Sequence, residues 1–410
     1  MDSGLLCPAR VPPSWPPSLQ LLLGEPAGEL WSAVLGPLSG RLRTLAATSV
    51  HLRPDGTATV RHTALVDWAD GRATREHLVA ATGSAIPAGA AVVEGAAGGT
   101  PVAVGLWRWP LDPALPGLAW ATSAAGVAER LGALGLHVPG PRLRLRSYRP
   151  GRRAVVEVTS PAGRWFLKVV RPAAVADLVR RHAALAPALP VAPVLAHTTD
   201  GVVVLPALLG TPLRAALAGD PRQLPGPEAL EALLDRLPEV APRRGRGAPG
   251  DPMPAVRAHA SVLGTVCPAL APRLDRLTAA VAAGAGRHPV VPVHGDLYEA
   301  QLLVEAGSVV GLLDVDTTGP GARIDDWATL LGHLVLLEHL TGDPAPIAAY
   351  RDRVERLLAG RWPGGELAAR VAGVLVGLAT GPFRVQQAGW AQATEARLAL
   401  AERWATASAG

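Results

Sequence analysis

Two short polar clusters between apolar stretches constrain the C-terminal half of this chain more than any other feature. The first is the His-Gly-Asp tripeptide His294–Asp296, with Gln301 five residues after its aspartate, and the second is Asp314–Asp316. Strand-like residues flank both clusters, and the 18 positions from Asp296 to Asp314 leave room for a loop, a strand, a turn and a returning strand. The pattern predicts short hairpin strands that carry carboxylates into one cleft.

Carboxylates placed in this way suit phosphoryl transfer. One carboxylate accepts or orients the proton of an attacking hydroxyl, and another, with a nearby carbonyl oxygen, holds Mg²⁺ on the phosphates. Asp296 fits the first role, and Asp314 with Gln301 fits the second. Asp316 is either a second metal ligand or a solvated turn residue.

The use of basic residues gives a second constraint. Lys168 is the only lysine, so 38 of the 39 basic residues are arginines. It lies in the last of three strand-like stretches, Arg142–Tyr148, Arg153–Thr159 and Arg164–Val170, which are joined by turns containing Pro and Gly. A lysine in a chain that otherwise uses only arginine indicates a specific need for a compact ammonium group.

Composition narrows the class of protein. The chain has 410 residues, 49% of them hydrophobic, which is enough for two or three packed units. Cys7 and Cys267 form no CxxC pair, and no apolar run resembles a signal peptide or reaches membrane-spanning length, so we expect a cytoplasmic protein without membrane contacts. The pI is near 9.9, but no basic run interleaved with aromatic residues predicts a nucleic-acid partner.

In this order, the elements resemble the aminoglycoside phosphotransferase and choline kinase superfamily, which shares the protein-kinase-like fold. Its catalytic loop reads His-Gly-Asp with Asn five residues after the Asp, and a later apolar-apolar-Asp motif supplies the metal-binding aspartate. The resemblance covers roughly residues 142–340. Gln301 stands where most members have Asn. Maltokinase-like bacterial sugar kinases are similar in having Gln at this position, and they also carry an additional N-terminal cap domain.

The resemblance implies an α+β, protein-kinase-like bilobal fold. We expect a cap domain at residues 1–140, a small and mainly β N-lobe at 141–210, and a large helical C-lobe at 211–410, with the active site between the two lobes. In the cap, Ser49–Arg53 and Thr57–Trp68 are strand-like, and a helical pattern follows from Ala121 to Leu136.

The resemblance also implies roles for individual residues of the catalytic loop and its surroundings. Asp296 is the catalytic base, and His294 is a second candidate catalytic residue, which either positions the loop through hydrogen bonds or acts as a general base. Asp326 caps a helix and braces the catalytic loop. For its neighbour Asp325 the resemblance implies no role, and we expect an exposed side chain.

The nucleotide is expected to contact residues earlier in the chain. Lys168 neutralises the α- and β-phosphates of ATP, but His182 stands where relatives have its glutamate partner, with Asp177 the nearest acidic alternative. The turn at 149–153 replaces the glycine-rich loop, and Arg152 either contacts phosphate or is part of a basic surface turn. The interlobe hinge, whose backbone reads adenine, is formed by Pro206, Ala207 and Leu208.

The expected protein is thus a Mg²⁺-dependent kinase that moves the γ-phosphate of ATP to a hydroxyl of a sugar or aminosugar. One alternative is an aminoglycoside phosphotransferase, which needs an acidic rim. The candidate acidic residues are Glu338, Asp343, Asp352, Glu355 and Glu366, with Arg351, Arg353 and Arg356 between them. A second alternative is a catalytically weak nucleotide-binding regulatory protein. It is motivated by the absence of a glycine-rich loop and by the presence of His182 and Gln301 where relatives have other residues.

Overall fold

The computed structural model describes residues 11–97, 100–242, 249–363 and 365–407, so Cys7 lies outside the described residues. The helices are α1 (Pro17–Leu23), α2 (Pro26–Leu35), α3 (Leu118–Ala121), α4 (Ala124–Ala133), α5 (Val175–Leu185), α6 (Leu213–Ala216), α7 (Pro227–Asp235), α8 (Met253–Val266), α9 (Ala271–Gly284), α10 (Arg323–Leu340), α11 (Ala345–Leu358), α12 (Glu366–Ala379), α13 (Gly381–Arg384) and α14 (Trp390–Ala407). The strands are β1 (Gly40–Leu52), β2 (Ala58–Trp68), β3 (Ala73–Thr82), β4 (Ala91–Ala97), β5 (Thr100–Arg108), β6 (Arg142–Arg149), β7 (Arg153–Ser160), β8 (Gly163–Val170), β9 (Ala196–His197), β10 (Val202–Pro206), β11 (Thr211–Pro212), β12 (Val290–Val293), β13 (Leu302–Glu305), β14 (Ser308–Leu312) and β15 (Gly319–Ala322).

The first sheet has the strand order β1-β2-β3-β5-β4 and is antiparallel. In β2 every second residue from Ala58 to Val66 is buried, because successive side chains of a strand point to opposite faces. Helices α1 and α2 cover this face with Leu19, Leu22 and Trp31, all almost fully buried. The two predicted strands in this region are confirmed, although β1 begins nine residues earlier than expected.

The second sheet has the order β6-β7-β8-β10-β9. Strands β6 and β7 form a hairpin that ends at the pair Arg149 and Arg153, and β7 places Val155 opposite Lys168 of β8. The three strands predicted for this region are confirmed within one residue at their ends. The pairing makes the position of Lys168 a consequence of local hairpin registers.

Helices dominate the rest of the chain, as the α+β prediction requires, and this prediction is confirmed. Long helices α10 and α12 pack against each other, with Trp327, Leu331, Val371 and Leu375 at most 1% exposed. Two small sheets, β11-β13-β14 and β12-β15, lie among these helices in the sequence and carry the candidate site.

The chain divides into two compact units. The first unit comprises Met1–Val175, His197–Val203 and Pro382–Trp390, and the second comprises Ala176–Ala196, Val204–Gly381 and Ala391–Gly410. The finer division into residues 1–140, 141–210 and 211–410 stays a prediction. One segment of the described residues, Glu366–Arg384, is long and apolar enough to cross a membrane, but 61% of its apolar window is buried, as in the core helix of a globular protein.

Candidate active site

A buried carboxylate holds the loop that follows β12. The backbone N–H groups of His294 and Gly295 donate hydrogen bonds to the two carboxylate oxygens of Asp326, at 2.8 and 2.7 Å. Burial raises the pKa of Asp326, and His294 together with the two N–H donors opposes this shift. Asp326 does not cap α10 as expected, because it lies in the first turn, after an N-cap formed by Ala322 without a side-chain bond.

His294 joins the two polar clusters. Its Nε2 lies 2.9 Å from the carbonyl oxygen of Leu313, and since a carbonyl only accepts, Nε2 carries the hydrogen. Nδ1 is buried without a hydrogen-bond partner in the described part of the chain. Thr317 Oγ1 donates to the carbonyl of His294 at 2.9 Å. This fully buried imidazole therefore connects the loop to the segment that follows β14.

Strands β13 and β14 form a hairpin that brings Gln301 beside the second cluster. Leu302 pairs with Leu312, and the N–H of Leu313 donates to the carbonyl of Gln301 at 2.8 Å. Gln301 and Asp314 thus flank the open end of one hairpin. Asp314 has φ 52°, a left-handed conformation that is sparsely populated for residues other than glycine and often marks functional sites.

The structure corrects two details of the sequence interpretation. Strand β12, which leads into Asp296, pairs with β15 and not with the hairpin, since Val293 lies opposite Gly319. Asp316 is 9% exposed within a 3₁₀ turn at Val315–Thr317, so it is not a solvated turn residue.

The donor set suits Mg²⁺. Gln301, Asp314 and Asp316 offer an amide oxygen and carboxylate oxygens, which are hard ligands, and Mg²⁺ is commonly bound through one or two carboxylates plus substrate phosphates. Within the described ranges, no group of three or more His, Cys, Asp or Glu side chains is arranged to hold a metal.

Asp325 is not simply exposed. Its carboxylate forms an ion pair with Arg370, whose side chain is 1% exposed and also donates to the carbonyls of Ala285 and Gly286. Burial raises the pKa of Asp325, and the charge of Arg370 opposes the shift. The pair connects the start of α10 to α12, next to the turn that contains Asp326.

Sequence reasoning missed a second layer around the catalytic loop. The Tyr298 ring stacks on His333 with centroids 4.2 Å apart, and the Glu299 carboxylate is buried, 3.8 Å from Arg214. Burial, followed by the charge of Arg214, lowers the pKa of His333 to about 4. Burial also raises the pKa of Glu299, and Arg214 opposes this. The only sequence signal is that Tyr298 and Glu299 lie between Asp296 and Gln301.

In the first unit, Lys168 is 6% exposed within β8. The sequence offers Asp177 and His182 as candidate partners of Lys168. Asp177 accepts hydrogen bonds from Arg181 at 2.9 Å and from Arg180 at 3.2 Å, and both arginines lie on the same helix as Asp177. His182 places Nδ1 2.8 Å from the carbonyl oxygen of Ala192. Asp177 is thus engaged by arginines one turn away.

The turn that replaces a glycine-rich loop is fixed from two sides. Gly151, with φ 65°, donates its N–H to the Asp112 carboxylate at 2.7 Å. Arg171 Nε donates to the carbonyl of Gly151, also at 2.7 Å. Asp112, which the sequence did not single out, is 2% exposed and also accepts from the Tyr148 hydroxyl. Arg152 projects an exposed side chain from this turn. The expected hinge residues Pro206, Ala207 and Leu208 are half-buried at the end of β10 and directly after it.

Three solved structures illustrate what the fold is similar to. Two are ternary complexes of thermostable mutants of aminoglycoside phosphotransferase APH(4)-Ia, one with ADP and hygromycin B and one with AMP-PNP and hygromycin B. They are 13% and 14% identical, cover 70% and 69% of this chain and 99% and 97% of their own, and both have a TM-score of 0.50. The macrolide 2'-phosphotransferase MphH from Brachybacterium faecium is 20% identical, with 67% and 97% coverage and a TM-score of 0.40.

At these identities the structural likeness concerns the fold alone. No curated protein sequence matches the chain. The family model described as "Phosphotransferase enzyme family" matches residues 144–373, which is more than half of the chain and includes Lys168, the catalytic loop and the β13–β14 hairpin. The chain therefore belongs to the phosphotransferase enzyme family, with a protein-kinase-like fold.

Proposed function

We propose that the protein transfers the γ-phosphate of ATP to a hydroxyl group of a sugar or aminosugar. The observation that carries the proposal is the hydrogen-bonded junction in which His294 contacts the carbonyl of Leu313, while Leu313 donates to Gln301. This junction ties the loop containing Asp296 to the end of the hairpin beside Asp314. Phosphoryl transfer requires a base and metal ligands held in fixed positions relative to each other. Asp296 would be the base, and Gln301 and Asp314 would be the oxygen ligands.

In the proposed reaction, the acceptor oxygen attacks the γ-phosphorus and the bond to the β–γ bridging oxygen breaks, so that ADP leaves. The Asp296 carboxylate orients the acceptor hydroxyl and takes its proton. Gln301, Asp314 and Asp316 would hold Mg²⁺, which neutralises phosphate charge when bound. His294 and Asp326 act as positioning residues, because they fix the backbone on both sides of the loop.

We assign the nucleotide to residues on the N-terminal side of the family region. The Lys168 ammonium is proposed to lie on the α- and β-phosphates as a compact charge, and Arg152 to contact a phosphate oxygen. The backbone of Pro206, Ala207 and Leu208 would contact the adenine edge. Because the reaction consumes ATP, we place it in the cytoplasm.

A sugar is favoured over a polycationic aminoglycoside because much of the candidate acidic rim is already engaged. Arg351 lies within ion-pair distance of Glu338 at 3.0 Å, Asp352 at 3.1 Å and Glu355 at 2.6 Å. The guanidinium charge of Arg351 offsets part of the negative charge that these carboxylates would present to the ammonium groups of an antibiotic. The Gln301 position, shared with maltokinase-like sugar kinases, points the same way.

The test is a coupled assay of ADP release with MgATP and a panel of neutral sugars, aminosugars and aminoglycosides. We expect release that depends on a sugar or aminosugar and that is lost in Asp296→Asn but kept in Asp343→Asn, an exposed carboxylate on the same unit. Release with aminoglycosides only would replace the proposal by antibiotic phosphorylation. Nucleotide binding without release for any acceptor would favour the regulatory alternative.

A further inference from the structure

A carboxylate from the segment before the family region is buried against the turn between β6 and β7. Asp112, which follows the last residue of β5 by four positions, is 2% exposed. Its Oδ2 accepts hydrogen bonds from the N–H of Gly151 at 2.7 Å and from the Tyr148 hydroxyl at 2.9 Å. Its Oδ1 accepts from the N–H of Ala114 at 3.0 Å. Both oxygens of this buried carboxylate are therefore bonded, as burial of a charged group requires.

Two tryptophans beside Asp112 in the sequence hold the tyrosine that bonds to it. Trp107 Nε1 donates to the Tyr148 hydroxyl at 3.2 Å, and the Trp109 ring packs edge-on against the Tyr148 ring with centroids 4.7 Å apart. Burial, followed by the charge of Asp112, raises the pKa of Tyr148, so the phenol keeps its proton and donates it to the carboxylate. The end of β5 and the end of β6 thus fix the carboxylate together.

Hydrogen bonds, more than packing, hold the turn at Gly151. A Cβ atom added to this glycine would meet no atom within 4 Å apart from its chain neighbours, so nothing presses on that side of the turn. The N–H of Gly151 is bonded to Asp112, and its carbonyl accepts from Arg171 Nε at 2.7 Å. Arg171 directly follows β8, the strand that contains Lys168. The two bonds therefore tie the turn to the segment after β5 on one side and to the end of β8 on the other.

The amide groups of this turn are already used within the protein. In protein kinases a glycine-rich loop covers the nucleotide phosphates. Here the N–H of Gly151 is bonded to Asp112, and the N–H of Arg152 donates to the carbonyl of Arg149 at 3.0 Å. Neither N–H is available to a phosphate oxygen in this conformation, whereas the side chain of Arg152 is exposed. A phosphate contact from this turn therefore depends on that side chain, and its direction depends on how the backbone of the turn is held.

We infer that Asp112 is a positioning residue for the nucleotide, which holds the β6–β7 turn in the conformation from which Arg152 contacts a phosphate. Ordering the turn before the nucleotide arrives strengthens binding, because less conformational freedom is then lost on association. The inference rests on the proposed function, since the phosphate contact of Arg152 is assigned there. Asp112 lies outside the family region at 144–373, so the segment before that region gains a role in nucleotide binding that the family match does not supply.

The test is a calorimetric titration of the full chain with AMP-PNP in the presence of Mg²⁺. We expect Asp112→Ala to weaken binding by about 10-fold, because the turn must then be ordered when the nucleotide binds. Asp112→Asn should stay within about 3-fold of the parent, since an amide oxygen can still accept from the N–H of Gly151. In the ADP-release assay, Asp112→Ala should raise the KM for ATP by the same factor and leave the KM for the acceptor unchanged.

The matched control is Thr82→Val. Thr82 is 4% exposed in β3, and its Oγ1 accepts from the N–H of Ala58 at 3.1 Å, so this change also deprives a backbone N–H of a buried side-chain acceptor. It should lower the melting temperature, as Asp112→Ala does, but keep the affinity of the parent for AMP-PNP. If Asp112→Ala does not fold, Tyr148→Phe takes its place. It keeps the ring, removes one donor to the carboxylate and should weaken binding by about 3-fold.

Equal affinity of the parent and Asp112→Ala, or of the parent and Tyr148→Phe where that variant is used, would overturn the inference. Tighter binding would also overturn it, because the carboxylate would then compete with phosphate for the N–H of Gly151. An equal loss of affinity in Thr82→Val would reduce the effect to general destabilisation. In these three cases, acceptor-dependent ADP release by the parent leaves the proposed function intact. The expected affinities without ADP release for any acceptor remove the proposed phosphoryl transfer but not this inference, and a parent that does not bind AMP-PNP overturns both.

Discussion

At the scale of single residues, the backbone of the loop that contains Asp296 is held in place by Asp326 and His294. The proposed mechanism places neither of these side chains in contact with the substrate. The Asp326 carboxylate accepts from two consecutive N–H groups, and His294 Nε2–H donates to the carbonyl of Leu313. Both are fully buried, so their hydrogen bonds do not compete with water. Asp296, which we propose as the catalytic base, is by contrast only partly buried.

Replacement of Asp296 by Asn is expected to lower turnover by on the order of 10²–10⁴, the typical contribution of a positioned general base. The change is nearly isosteric, so MgATP affinity and the melting temperature should stay close to those of the parent. Steady-state kinetics and thermal unfolding check both statements. A kcat close to that of the parent would remove Asp296 from the chemistry.

His62 gives a prediction about acid. It is 1% exposed, and burial lowers its pKa to about 4, against which the bond to the carbonyl of Leu22 acts weakly. Between pH 6.5 and 4 the unfolded chain therefore binds the extra proton, so the free energy of unfolding falls as the pH falls. The contribution of this one group is about 3 kcal/mol.

Urea unfolding of the parent and of His62→Gln at pH 7 and pH 4.5 measures this contribution. The variant should be less stable at pH 7 but should lose less stability on acidification than the parent does. His137→Gln, at an exposed histidine, is the control and should follow the parent. Parallel pH dependences of parent and His62→Gln would contradict the argument.

At the scale of elements, the β13–β14 hairpin is what brings Gln301 to Asp314, and its turn is not ideal. The two turn residues, Ala306 and Gly307, have φ of 46° and 75°, as a type I′ turn requires. Glycine adopts this backbone region without strain, but for alanine the conformational free energy there is roughly 1 kcal/mol less favourable. The hairpin thus carries local strain close to the candidate site.

Replacing Ala306 by Asn should raise the free energy of unfolding by about 0.5–1 kcal/mol, because Asn-Gly is the favoured pair for this turn. Ala306 is exposed, so the new side chain meets no packed neighbour. The midpoint of denaturant unfolding measures the effect. Ala306→Val is the matched control and should destabilise, since a β-branched residue is worse than alanine at positive φ; a stabilised Val variant would rule out turn strain as the cause.

At the scale of the whole molecule, the clearest test of the nucleotide assignment is ligand-induced stability. A ligand at 100 times its Kd stabilises a protein by about 2.7 kcal/mol. Lys168→Met should weaken MgATP binding by roughly 100-fold, so that the same concentration stabilises the variant by only about 0.4 kcal/mol. Methionine suits a site that is 6% exposed better than the bulkier arginine does.

Thermal unfolding with and without MgATP measures this difference, and any direct effect of the substitution on folding cancels within each variant. Arg144→Met is the control, because Arg144 is an exposed residue of β6 in the same sheet. Equal MgATP stabilisation of the parent and Lys168→Met would show that the single lysine does not bind the nucleotide.

The sequence by itself determined whatever depends on neighbours close in the chain. The strands around Lys168 and the hairpin between Gln301 and Asp314 follow from turn residues and apolar patterns over fewer than 20 positions. Hairpin registers are local, so the spacing of polar residues predicts which of them meet. The family resemblance rested on these same segments, and the match at 144–373 confirms it.

Only the tertiary structure decided the contacts between distant segments. It pairs β12 with β15, joins Asp325 to Arg370 across 45 positions, and places the Asp112 carboxylate where it accepts a hydrogen bond from the Gly151 N–H. No periodicity encodes such pairs, because the neighbours of a buried or clustered side chain are set by how whole helices and sheets pack. That packing is a property of the complete core, to which each residue contributes only one of many contacts.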